Sequence, residues 1–466
     1  VTAGSSIPLV PLIARIAESI GVRLQEGIYA KMKDLIPINY KIFLKPDLER
    51  FEFTGSTEIL VESSEPVNEI TVNILDLAIW SCRVGIGDDF LGCSFYVDIK
   101  KDELTISLPE KISGQIHLKV DYLGHINDKM AGFYRSAYDA DGGTKYVAVT
   151  QFQESDARRA FPCFDHPGKK ATFDVTLLID DDLKAISNGA VAEEQMLENR
   201  KKLVRFQQTP RMSTYLLFFG VGDFDLISDA HDDRVRVATM PGMTGSAQVG
   251  LEFGRKSLRF CENYYHIPYP LPKLDLIAIP DFAFGAMENW GAITFRENLL
   301  LVFEGITSKA GMVRICEVIA HEIVHQWFGN LVTPSDWKYL WLNESFATYF
   351  AYGIVDHYFP DWKTWSQFLS GQVQTALERD AFNETFPIEL PGVEHVAINS
   401  STAPIIYSKG GSVLRQIKGY IGEDDFKEGV KRYLKTHEYG CASSHHFWEA
   451  FEEDEELGRT TRLSNY

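Results

Sequence analysis

The chain has 466 residues, enough for two or three domains and a large core. A hydrophobic content of 45% and a charged content of 24% match an ordinary soluble globular protein, and no apolar run is long enough to span a bilayer. With 46 Lys and Arg against 65 Asp and Glu the net charge is −19, so neither nucleic acid nor an anionic membrane is expected as a partner.

Residues 1–33 read as a helical extension, with Leu12, Ile16 and Ile20 on one stripe. Arg15 and Glu18 interrupt its apolar run, so no secretory leader is expected. From residue 34 the pattern changes to alternating strands, expected at 38–44, 51–62, 69–75, 104–108, 116–122, 172–179, 202–207 and 214–220. Residues 34–228 thus form one largely antiparallel β domain. Its rhythm breaks at 146–170, a polar and charged segment that by itself reads as a surface loop with salt bridges. Six scattered cysteines, Cys82, Cys93, Cys163, Cys261, Cys316 and Cys441, do not make a disulfide framework. Free thiols in a reducing cytoplasm are expected.

Residues 229–466 form a second domain. Strands are expected at 234–239, 274–279 and 292–295, with a helix at 248–264. Helices then dominate, including 364–379, 410–421 and 424–435. Strands first and helices later argue for an α+β architecture.

The chemistry concentrates on one of these helices. Met312, Ile315, Val318, Ile319 and Ile323 recur at helical spacing, and Gly329-Asn330 supplies a stop signal. On that helix His321 and His325 lie one turn apart on one face and can grip one metal ion. Glu322 projects beside them, within reach of a water on the metal. A hydrolytic zinc site takes three protein ligands and leaves a fourth position for water. Glu344 supplies the third, in the first turn of a second helix whose N-cap is expected at Asn343. Two imidazoles and a carboxylate also suit cobalt or manganese.

These residues resemble the M1 family of zinc aminopeptidases, the gluzincins. The match runs from about Leu35 to about Glu452, fading near Glu453. It comprises His321-Glu322-Ile323-Val324-His325 with Glu344 after eighteen intervening residues, and Gly285-Ala286-Met287-Glu288-Asn289, the family's exopeptidase motif. It also takes in Thr150-Gln151-Phe152-Gln153, Ala157-Arg158 through Pro162-Cys163, and Ile406-Tyr407-Ser408-Lys409-Gly410. The resemblance implies an antiparallel β domain followed by a thermolysin-like α+β catalytic domain holding one zinc ion. It implies an aminopeptidase acting on peptides with a free N-terminus, with Glu322 as general base and Tyr407 as donor to the oxyanion. Glu288 and Gln153 would bind the α-ammonium, and the backbone of Gly285, Ala286 and Met287 would pair with the extended substrate. A mid-chain peptide brings no cation to Glu288, which argues against an endopeptidase.

Departures from the family are few. Some members carry glutamate at the position of Gln153, and Asp165-His166-Pro167 replaces the commoner Asp-Glu-Pro. Larger members continue into a helical domain that caps the cleft. Without that cap an exposed apolar surface favouring self-association is expected, and the alternative reading is a zinc-binding protein that holds peptides without cleaving them.

Overall fold

The computed structural model describes residues 35–86, 89–140, 142–390 and 397–451. The helical extension expected at 1–33 and the tail from 452 lie outside the described residues.

The first domain is dominated by a nine-stranded sheet whose spine is the antiparallel pair Glu52–Asn73 and Glu103–His125. Leu35–Asp47 pairs with Glu52–Asn73 on one side and runs parallel to Thr172–Asp180 on the other, the one parallel pairing in that sheet among the described residues. Its alternation sends Tyr40, Ile42 and Leu44 into the core, with Lys41, Phe43 and Lys45 outward. Each spine strand fuses two segments expected to be separate. Between them, around Pro66 and Pro109, the pairing slips at Ser63/Val67 and Val67/Glu69 and then resumes. A bulge tolerates a residue that cannot donate to the ladder, so the strand continues through it.

A four-stranded sheet, Lys184–Ser187, Phe219–Gly222, Gly143–Gln151 and Gly132–Ala140, follows. The strand expected at 214–220 is a 3-10 turn, Thr214–Leu216, and a shorter strand, Phe219–Gly222. Side-chain bonds hold that turn: the Thr214 hydroxyl donates to Asp165 at 2.8 Å, and the Tyr215 hydroxyl donates to the Gly329 carbonyl at 3.2 Å.

The second domain carries a five-stranded sheet, ordered Asp225–Ser228, Val235–Thr239, Leu274–Ile279, Ala292–Arg296 and Ala286–Met287. Its three central strands are parallel and the two outer ones antiparallel. Asp225–Ser228, at the end of the expected first domain, pairs with Val235–Thr239 in this sheet. Helices Gln248–Tyr265, Lys309–Val324 and Trp341–Tyr358 pack into this half, around the fully buried Trp290, Trp327 and Trp341. The helix expected at 364–379 is interrupted: α from Thr364–Phe368, a π turn at Leu369–Val373, then α from Gln374–Asp380.

The segment 146–170 is no surface loop. Ala157, Arg158, Phe161, Cys163, Phe164 and Asp165 are all buried. Phe152 and Phe161 join an aromatic cluster with Tyr40 and Phe173, so the apolar residues between the charges pull the segment inward.

Candidate metal centre and cleft

The histidine helix, Lys309–Val324, begins at Ser308, whose hydroxyl accepts from the Gly311 amide at 3.1 Å. It ends earlier than Gly329-Asn330 suggested, with His325 as its C-cap. The bond from the His325 amide to the His321 carbonyl, 3.3 Å, preserves the one-turn offset of the two imidazoles. Gly329, at a φ of 123°, turns the chain back beneath His325. That return places the Phe328 carbonyl 2.9 Å from His325 Nδ1. Nδ1–H donates there, leaving the Nε2 lone pair facing the cleft.

Glu344 comes from the neighbouring helix, Trp341–Tyr358. Asn343 is not its N-cap: the helix already starts at Trp341, and the Asn343 amide donates to the Tyr215 hydroxyl at 3.3 Å. The Glu344 carboxylate lies 3.3 Å from the Nε2 atoms of both His321 and His325, which are themselves 3.1 Å apart. A tetrahedral cation bound at about 2.0–2.1 Å sets its ligand atoms about 3.3–3.4 Å apart. The donor set therefore fits a zinc-sized ion in both type and spacing.

The electrostatics point the same way. Ligand-type oxygen and nitrogen atoms of Glu288, Glu322 and His325 lie within 4.8 Å of one another, beside the first trio. Burial pushes His325 down, yet Glu288, Glu344 and Glu322 carry it up to about 10. Burial alone would raise Glu344, but His325 and His321 hold it at about 2. The three carboxylates demand positive charge here, and a divalent cation meets that demand with both imidazoles neutral.

Two carboxylates remain underpartnered. Glu322 Oε2 and Glu288 Oε1 are buried without a hydrogen-bond partner among the described residues, and so is Gln153 Nε2. Burial pushes Glu322 well above the usual carboxylate range and Glu288 to about 7. Their cavity, about 230 Å³, is lined also by Phe284, Gly285, Ala286, His321, Glu344 and Tyr407. The segment holding Gln153 thus reaches from the β domain into the second domain's cleft.

Tyr407 lies in a π-helical turn, Pro404–Lys409, its ring 5.9 Å from that of His321 and nearly parallel to it. The Ser345 hydroxyl, one residue from Glu344, donates to the Ile406 carbonyl at 2.6 Å. That bond ties the Tyr407 turn to the helix of the third ligand. Ala286–Met287 is an edge strand, paired on one side with Ala292–Arg296. Its other side is open to an added strand. Met287 faces away: its side chain is buried and lines no part of the cavity, so any contribution to a peptide comes from its main chain.

Several supporting residues escaped the sequence reading. The Gln326 amide donates to the carbonyls of Glu322 and Glu288 at 3.0 and 3.3 Å, and the Asn330 amide donates to the Glu288 carbonyl at 2.8 Å. They lock the strand carrying Glu288 to the exit of the histidine helix. The buried ammonium of Lys170, from the β domain, donates to the Asn330 and Leu331 carbonyls at 3.2 and 3.3 Å. Gln326, Asn330 and Lys170 belong to no periodic pattern; the proximity of Gln326 and Asn330 to the histidines was the available signal.

Comparison with known proteins places both halves of the chain in one family. The peptidase M1 N-terminal domain matches residues 36–216 and the peptidase family M1 domain matches residues 249–465. The second match overturns the fading expected near Glu453. Aminopeptidase M1 of Arabidopsis thaliana is 41% identical over 432 residues, covering 90% of this chain and 48% of that protein. Leucyl aminopeptidase of Saccharolobus solfataricus is 40% identical over 422 residues, 90% of this chain and 52% of that protein. Aminopeptidase 2, mitochondrial, of Saccharomyces cerevisiae is 38% identical over 425 residues, 90% of this chain and 44% of that protein. The chain spans about half the length of the curated relatives it matches. Among the described residues no helix is long and apolar enough to cross a membrane.

Proposed function

This chain belongs to peptidase family M1, and from that premise and the geometry of the cleft we infer that it is a zinc aminopeptidase releasing residues from the N-terminus of peptides. The observation that carries the reading is the pair Glu288 and Gln153, whose unpartnered polar atoms face the cavity beside the metal-binding trio. An unpaired buried carboxylate is costly unless a cation arrives to meet it. A free α-ammonium is such a cation, and a mid-chain amide is not.

The zinc ion would be held by His321, His325 and Glu344, and when bound it supplies a Lewis acid that polarises the scissile carbonyl and acidifies a water. Glu322, its carboxyl raised by burial, takes the proton of the attacking water and passes it to the departing amine. The Tyr407 hydroxyl donates to the oxyanion that forms on the former carbonyl. Glu288 and Gln153 fix the ammonium, and so register the first peptide bond over Glu322. The open edge of Ala286–Met287 holds the peptide extended, as an added strand.

The test compares aminoacyl-coumarin substrates with their N-acetylated counterparts on protein with one zinc per chain. Cleavage confined to the free-amine series is the expected result. Equal cleavage of both would remove the ammonium site from the mechanism, and zinc binding without cleavage would overturn the enzyme reading.

A further inference from the structure

The cleft has a second charged wall, away from the ammonium anchor. Glu317 lies one turn before His321 on the histidine helix and lines the same cavity with Val318, Ala351, Tyr352 and Gln372. Its side chain is 10% exposed, and its ion-pair partner, Arg314 at 3.4 Å, is 58% exposed. An ion pair that long and that open contributes little. The other polar groups of this wall are occupied: the Gln372 amide donates to the Tyr352 hydroxyl at 3.2 Å, and the Ser408 hydroxyl donates to Gln372 at 2.5 Å. Burial pushes the Glu317 carboxyl up, with Arg314 only partly opposing. The wall therefore presents a nearly buried acid whose partner is loosely held.

Its position fixes what can reach it. Glu288 is grouped with Glu322 and His325, near the end of the helix. Glu317 is five residues before Glu322, a rise of about 7.5 Å. A peptide whose α-ammonium sits at Glu288 advances about 3.3–3.6 Å per residue. A long basic side chain on the second residue adds about 6 Å beyond its Cα. Together these span the separation, with the first peptide bond left at the metal trio.

We propose that Glu317 makes this cleft selective for a cationic side chain, lysine or arginine, on the residue that follows the scissile bond. The inference rests on the aminopeptidase reading and extends it to the second residue. The arriving ammonium or guanidinium displaces Arg314 towards solvent and pairs with Glu317 in a site that excludes water better than the surface does.

The test is a series of peptide amides with one fixed first residue and Lys, acetyl-lysine, Met or Glu in second place. For the zinc-loaded protein, kcat/KM with Lys is expected to exceed that with Met or acetyl-lysine by about tenfold. Glu317→Gln is expected to bring the Lys-to-Met ratio close to one, and Arg314→Met to raise it. Because acetyl-lysine keeps the side-chain stem and removes only its charge, the wild-type comparison stands even where Glu317→Gln does not fold. Cleavage of every peptide at a ratio near one would overturn the inference while leaving the aminopeptidase reading intact. Preference for Glu in second place would assign the wall to Arg314 instead. No cleavage of any free-amine peptide would overturn both.

Discussion

Two buried clusters of charge, one in each domain, differ in how completely they are paired. Asp165 in the β domain accepts from Arg158 Nε at 3.0 Å, from the Arg158 amide at 3.3 Å and from the Thr214 hydroxyl at 2.8 Å. Its own amide donates to Asn73 at 3.1 Å, and Arg158 Nη2 reaches the Asp165 carbonyl at 3.4 Å. In the cleft, by contrast, Glu288, Glu322 and Gln153 each keep a buried polar atom without a partner among the described residues. Burial is similar in the two places and completeness is not. A closed network contributes specificity to the fold, whereas an open one holds groups in reserve for something that comes and goes.

Changing one carboxylate to its amide in each cluster separates the two roles. Glu322→Gln is expected to lower kcat by about a thousandfold, the scale of lost general-base catalysis, with zinc content unchanged by metal analysis. Its melting temperature should not fall, since the lost oxygen makes no bond in the resting cleft. Asp165→Asn is expected to do the reverse. It strands Arg158, whose side chain is 10% exposed, and should destabilise the protein by about 3–5 kcal/mol in denaturant unfolding. The folded fraction of that variant should keep near-normal turnover. A loss of turnover at Asp165→Asn that exceeds its unfolded fraction would break the distinction.

The same contrast explains what was legible in the sequence. His321, His325 and Glu344 follow from helical spacing and a second helix start, because the ligands' own elements carry strong local periodicity. The trio meets within 3.3 Å, although neither helix boundary was right: His325 is a C-cap, and Asn343 is inside its helix. Spacing on one face tolerates an error of several residues at the ends. The segment 146–170 was misread because its charges are conspicuous in sequence, while the pairing of Arg158 with Asp165 is a tertiary fact. The spine strands read as separate segments because a bulge depends on the partner strand, which the sequence does not display locally. Gln326, Asn330 and Lys170 act through main-chain carbonyls, those of Glu288, Asn330 and Leu331 being far away in sequence, and no residue type announces that.

Tyr407→Phe probes a smaller term in the open cluster. The ring remains, stacked 5.9 Å from His321, and only the hydroxyl is lost. One preorganised donor to an oxyanion contributes about 10²–10³-fold in kcat, with KM much less affected. A variant that loses KM and kcat together would place the hydroxyl on the bound substrate rather than on the oxyanion.

Gly410→Ala asks whether the closed packing behind that tyrosine matters to the open cluster. A Cβ at Gly410 would lie 1.9 Å from Ser345 Oγ and 2.8 Å from Ser345 Cβ, too close for either side chain to accept. The Ser345 hydroxyl already donates to the Ile406 carbonyl at 2.6 Å, so it has no free direction in which to yield. The turn Pro404–Lys409 must then shift from the Glu344 helix and carry Tyr407 with it. A displacement on the scale of 1 Å at a catalytic group lowers rate by up to about 10²-fold, and about tenfold is expected here because the turn can relax along its length. Zinc content should be unchanged. In the Tyr407→Phe background the same substitution should lower kcat by much less, because the displaced hydroxyl is already gone. An equal loss in both backgrounds would mean that the glycine acts through Glu344 instead, and the boundary between the closed packing and the open cleft would have to be drawn one turn further in.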